Sequence, residues 1–320
     1  MKTESSLPYV WMLCACVVFS LMGALTYGLR DRYDWQLIAV ARAALPFFLV
    51  SSLAVTTRAK LVFWQPGVLW LRSVAGSISL VCTFYCLTRL PQSLVLTITS
   101  VYPIWVTLLS WPLEREMPSP AVWLAALVGV AGVVVIQRPG GVVADHFAAI
   151  LALIASLSTA VAMMGLNRLR GVDTRAVVVH FSGVALLFAL AAFSFTAEDV
   201  KLASDATSVC QLIGIGLTAT VGQVCLTKAF MHGPPTKVSV VGLTQIAFAM
   251  GLDVILFHKT FDVVTLLGVG LVLAPTAWLV THRPRPEPMP PGPEALDLWK
   301  DGSGVGQQRS EVTSQKSDAT

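Results

Sequence analysis

Hydrophobic residues fill this chain in long unbroken stretches, and polar residues gather in the gaps between them. Ten apolar runs can be marked, at approximately 9–28, 36–55, 67–87, 93–112, 120–137, 147–166, 176–195, 208–230, 237–257 and 262–281. Each approaches the roughly 20 residues that a helix needs to cross the hydrocarbon of a bilayer. None alternates apolar and polar side chains, as a membrane β-strand would. The runs are apolar on nearly every side, which predicts helices surrounded by lipid and by one another. Short linkers make sequential helices antiparallel. The pattern predicts an all-α integral membrane protein with ten transmembrane helices.

The runs also repeat. Thr88-Arg89-Leu90-Pro91 closes the third run with a tight turn and opens the fourth, which carries Tyr102-Pro103. About 143 residues later Gly233-Pro234 stands where Leu90-Pro91 stood, and Val224-Cys225 echoes Val81-Cys82. The copies end in Arg138-Pro139 and Arg283-Pro284, with a shift of about two residues. The expected boundaries are 1–140 for the first repeat and 141–283 for the second. Each copy holds five spans, an odd number, so the second begins on the opposite face and the two five-helix repeats are inverted. Inverted halves are a recurrent plan for transporters, with the substrate site near the midplane between them. A duplication that serves packing alone is the alternative.

Composition agrees with this pattern. Of 320 residues 55% are hydrophobic and 12% charged, with mean hydropathy +0.72. A soluble domain carries roughly 25% charged residues. The bilayer is therefore the first expected partner. A net charge of +4 without a basic stripe implies no nucleic acid. Lys and Arg in the loops divide about eleven to six between the two faces, which puts both termini in the cytoplasm and the protein in the cytoplasmic membrane. The six cysteines show no CxxC spacing and no nearby His, so they read as small packing residues. The first run lacks a small-residue cleavage site and reads as a retained helix. Residues 284–320 are rich in Pro, Gly, Ser and Gln and are expected to be a disordered cytoplasmic tail.

Polar residues inside the runs are the candidates for chemistry, because a charge at the bilayer centre costs about 2.5–3.5 kcal/mol on insertion scales. Arg42 lies about two turns into the second run and Arg72 about one and a half turns into the third, entering from opposite faces. Either could face a central cavity and attract an anionic or zwitterionic group, or snorkel to its interface. Pro46 leaves the Arg42 carbonyl without its helical donor, and Pro103 does the same to Thr99. Tyr102 could stack on a ligand. Gln223 and Gln245 are amides that need partners, which a solute or a neighbouring helix could supply. Asp253 reads as a proton-carrying or a structural carboxylate. Lys228, Lys237 and His180, near span ends, are expected to snorkel. No GxSxG, HExxH or GxxxxGK[ST] motif is present. The expectation is a transporter rather than an enzyme, with a small-molecule substrate and no cofactor or metal, as a monomer or homodimer. A polytopic membrane enzyme, sensor or structural subunit on the same scaffold is the alternative.

Leu71-Arg72-Ser73, Phe84 through Pro91, Ser100-Val101-Tyr102-Pro103 and the Glu114 turn resemble the EamA-type half of the drug/metabolite transporter superfamily. Val40-Ala41-Arg42-Ala43 is similar to its second-span arginine segment, and Thr244-Gln245-Ile246-Ala247-Phe248 to the matching segment of the second half. The resemblance covers roughly residues 9 to 282. It implies ten helices, inverted repeats and a central substrate cavity. The chain departs from the pattern at His258-Lys259, which stand where the first copy has Glu114-Arg115. Distant relatives, the small multidrug resistance proteins, use a first-span glutamate for proton-coupled export of cations. The first run here has no acid, which argues against that activity.

Overall fold

A computed structural model describes residues 6–281, except 30–31, 65, 91, 115–116, 139–144, 197–204 and 259. The 284–320 segment lies outside the described residues. Among the described residues there are twelve helices: α1 (Leu7–Leu29), α2 (Trp35–Thr56), α3 (Gly67–Arg89), α4 (Gln92–Thr99), α5 (Tyr102–Glu114), α6 (Pro120–Gln137), α7 (His146–Asn167), α8 (Thr174–Thr196), α9 (Ala206–His232), α10 (Pro235–Gly242), α11 (Thr244–Phe257) and α12 (Val263–Thr281). They make ten spans of membrane length and apolarity, with α4–α5 forming the fourth and α10–α11 the ninth. Lipid offers the backbone no hydrogen bonds, so a helix is the form in which these apolar runs satisfy their own amides.

The bundle has two faces. We call the one on which α1 begins the N-side and the other the far side. Tyr9, Leu69, Leu169, Val177, Phe230 and Val238 come from the starts of α1, α3, α8 and α10, the turn after α7 and the end of α9, and they share one apolar cluster on the N-side. Leu29, Tyr33, Ile38 and Ile215 gather at the far side. Sequential spans therefore alternate in direction.

Helix pairing carries the repeat. Span 1 packs on span 8 as span 3 packs on span 6. Span 3 meets span 7 as span 8 meets span 2, and span 2 pairs with span 7 and span 5 with span 10. Advancing every label by five spans returns the same pairs, as two related five-helix halves require. With five crossings in each half, the halves are inverted in the membrane.

The fourth and ninth spans are broken rather than merely kinked. α4 ends at Thr99, and Ser100-Val101 form a turn before α5. Pro103 thus stands in the first turn of α5, where a missing N–H costs least, and not within a continuous helix. The second break falls at Leu243, with no proline beside it. Side chains instead satisfy the carbonyls around it. Tyr102 Oη donates to Ser239 O (2.9 Å), Cys16 Sγ to Val241 O and Gly242 O (3.8 and 3.6 Å), and Ser20 Oγ to Gln245 O (2.8 Å). Such partners let irregular backbone persist at membrane depth.

Candidate functional site

One cavity of about 320 Å³ lies where the two halves meet. Spans 1–4 and 6–9 line it, while α6 and α12 pack on each other outside the lining. Arg42, Arg72, Thr99, Tyr102, Gln223 and Gln245 all border this space, which brings together the polar residues singled out in both repeats. Pro103 is buried outside the lining, and its carbonyl accepts Thr107 Oγ1 at 2.7 Å. Asp253 is half-buried on α11 and also lies outside the lining.

Arg72 is 1% exposed although it is an arginine. Its Cζ lies 3.8 Å from the centroid of the Phe181 ring on α8. Room for it is made by two glycines. A Cβ on Gly165 would stand 3.1 Å from Arg72 Cβ, and one on Gly76 would stand 2.6 Å from Arg72 Nη1. Its Nε and Nη1 have no hydrogen-bond partner in the protein. A desolvated cation–π contact returns about 2 kcal/mol. An uncompensated buried charge costs about 3–5 kcal/mol. Phe181 alone therefore does not balance the burial of this guanidinium.

Arg42, half-buried on α2, lines both the main cavity and a small side pocket shared with Phe181, Pro46 and Gln223. Pro46 is buried inside α2, so the carbonyl of Arg42 lacks its usual helical donor. Among the described residues neither Arg42 nor Arg72 forms an ion pair. Gln223 is 8% exposed, and its Nε2 donor also has no protein partner. The lining thus presents positive charge and unused donors, and the residues that form it include no Asp or Glu. Among the described residues no group of three His, Cys, Asp or Glu could hold a metal ion.

Several lining residues carry no charge and give no signal within an apolar run. Ser79 and Thr159 share a hydrogen bond of 2.6 Å between α3 and α7, and Thr83 and Phe181 complete the wall. His180, expected to snorkel, is instead buried: its Nδ1 pairs with Ser73 Oγ at 2.8 Å and its ring meets Trp70 edge-on at 4.7 Å. That pair keeps α3 and α8 together beside Arg72. On the N-side the cavity ends on Met12 and Phe230, which also belong to the large apolar cluster there. On the far side the apolar packing divides into separate clusters on spans 1, 2 and 8 and on spans 3, 4 and 6.

The EamA-like transporter family model matches residues 6–138 and 146–281. The chain belongs to that family, within the drug/metabolite transporter superfamily, and is a membrane transporter. It is 27% identical over 262 residues to a Pseudomonas aeruginosa protein named as the pseudopaline exporter CntI, covering 81% of this chain and 90% of that protein. It is 26% identical over 209 residues to an uncharacterized transporter of Helicobacter pylori, covering 63% and 69% of the two chains. A crystal structure at 17% identity shares the fold, with a TM-score of 0.74 over 86% of this chain and 96% of the other.

Proposed function

We propose that this protein is a secondary transporter that carries a small polar metabolite across the cytoplasmic membrane by alternating access. The solute is anionic or zwitterionic, in the manner of an amino acid or a nucleotide-like compound. One observation carries the reading: two arginines without ion-pair partners and three polar residues from the broken spans border a single cavity between the halves. Thr99, Tyr102 and Gln245 flank the breaks, where a small movement of either half-helix changes the cavity wall. Arg42, Arg72 and Gln223 supply donors. Repeats at 1–140 and 141–283 would rock against each other, with 284–320 as a cytoplasmic tail and both termini inside. The N-side cluster closes the cavity toward the cytoplasm under this orientation. The export named for the Pseudomonas aeruginosa relative supports outward movement of solute.

The test is flux in proteoliposomes loaded with a metabolite extract, read by mass spectrometry of what leaves. Arg42→Ala and Arg72→Ala are each expected to lower the flux of the transported solute at least about tenfold, as loss of one buried charge-assisted contact implies. Wild-type flux in both variants would remove the arginines from the mechanism.

A further inference from the structure

The charges around the cavity narrow the chemistry of its occupant. Arg42 lies about two turns from the far-side end of α2, and Arg72 about one and a half turns from the N-side end of α3. Their Cα atoms are therefore separated on the order of 10–15 Å along the helix axes. Both side chains still border one cavity of about 320 Å³, and both border Phe181. The occupant thus meets two fixed cations toward opposite ends of one small space. Arg72 is almost wholly buried with two nitrogens unpartnered, and Gln223 adds an unpartnered donor. No Asp or Glu lines the cavity to receive an ammonium group.

These features rank the candidates. A cation would enter a field of two like charges. A zwitterion would satisfy one arginine and set its ammonium near the other. A monoanion would leave one guanidinium without a counter-charge when the cavity closes. Only a molecule with two acidic groups neutralises both. We infer that the cavity takes a small diacid, a dicarboxylate or its phosphorylated equivalent, with one acidic group at Arg42 and the other at Arg72. This assignment rests on the same cavity being the transport site.

The test uses the purified full chain in detergent and reads thermal midpoint and affinity, since a ligand that binds only the folded form raises the midpoint. The probes are unbranched diacids from malonate to suberate, with monomethyl glutarate, delta-aminovalerate and cadaverine as partners of equal chain length to glutarate. At least one diacid is expected to bind about tenfold more tightly than the monoester or the zwitterion of matched length, and cadaverine not at all. Arg42→Gln and Arg72→Gln should each reduce that diacid to the affinity of its monoester. Arg42→Lys and Arg72→Lys keep the charge and should retain most of the binding, which separates loss of charge from loss of fold. Equal binding of the zwitterion, unchanged binding in both glutamine variants, or no diacid bound in the series would overturn the assignment. Uptake into proteoliposomes separates the two claims. A diacid that binds but never crosses sinks the transport reading alone. A zwitterion that crosses while no diacid binds sinks the diacid alone.

Discussion

Arg72 is held in place by what its neighbours lack. Gly76 sits one turn along α3, and a methyl there would stand 2.6 Å from Nη1 and 2.8 Å from Cε2 of Phe181. Gly76→Ala should therefore displace the guanidinium from the ring without removing the charge. We expect transport to fall at least about tenfold while the thermal midpoint changes little, since one displaced contact is worth a factor of ten per 1.4 kcal/mol. Gly23→Ala, with nothing within 4 Å of the new methyl, is the control that should leave both unchanged. Arg42 and Arg72 stand out in the sequence because charge inside an apolar run is costly and rare. Gln223, Gln245, Thr99 and Tyr102 stand out more weakly for the same reason. Gly76, Gly165 and Phe181 do not stand out, because a small or aromatic residue in a membrane helix fits either lipid or protein. Their meaning depends on which helix lies opposite, and a one-dimensional pattern does not contain that. His180 reads wrongly for the same reason: distance from a span end suggests snorkelling, but Ser73 and Trp70 on a neighbouring helix give it a buried place.

The helices meet through small residues and start on acidic caps. Along the α6–α12 seam, a Cβ on Gly132 would stand 2.8 Å from Gly268 O, and one on Gly268 would stand 3.0 Å from Gly132 O. Without a hydrophobic force between helices in lipid, such close backbone approach is what packing relies on. Gly132→Ala should cost about 1–3 kcal/mol of stability, the range for overpacking, and lower the midpoint in detergent. Gly270→Ala on the same helix meets nothing within 4 Å and should be neutral or slightly stabilising. At the far side α7, α9 and α12 begin on Asp145, Asp205 and Asp262, whose carboxylates accept the backbone N–H three residues on. The Thr265 hydroxyl and Arg138 hold the Asp262 carboxyl down to about 2, and hydrogen bonding from Ser208 with Arg32 nearby lowers Asp205. A carboxyl depressed in the folded state stabilises fully above its unfolded value and loses that effect as pH falls through the folded one. The midpoint should therefore decline between about pH 4 and about pH 2, and Asp262→Asn should remove part of that decline while changing little at neutral pH. Both ion pairs are about half exposed, so neither is a large support at neutral pH. Span positions are plain in the sequence because hydrophobic length alone decides them. The break at Leu243 is not, because side chains of α1 and α5 stabilise it from across the bundle.

At the scale of the whole molecule, the repeat makes one state imply another. Pairs of spans map onto themselves when every label is advanced by five, so an arrangement with one face sealed has a mirror arrangement with the other face sealed. In the present arrangement the N-side is sealed by the apolar cluster that joins α1, α3, α7, α8, α9 and α10. The seal has a polar latch: Asn167 Nδ2, at the end of α7, donates to Phe230 O (3.0 Å) and Gly233 O (2.8 Å) at the end of α9. No comparable side-chain bond from α7 to α9 is found on the far side among the described residues. Removing the latch should bias the molecule toward its mirror state. A single buried hydrogen bond contributes about 0.5–1.5 kcal/mol, so Asn167→Ala should shift the equilibrium by roughly threefold to tenfold for each bond lost. The shift can be read with a cysteine placed at Ser79 on the cavity wall, in a background whose six native cysteines have been replaced. A membrane-impermeant thiol reagent is added to right-side-out and to inside-out vesicles. With Asn167 intact, labelling should be faster from the far side. With Asn167→Ala it should slow from the far side and quicken from the N-side by a similar factor. Faster labelling from both sides would mean that the variant has loosened the bundle, and unchanged rates would show that the apolar cluster alone closes the N-side.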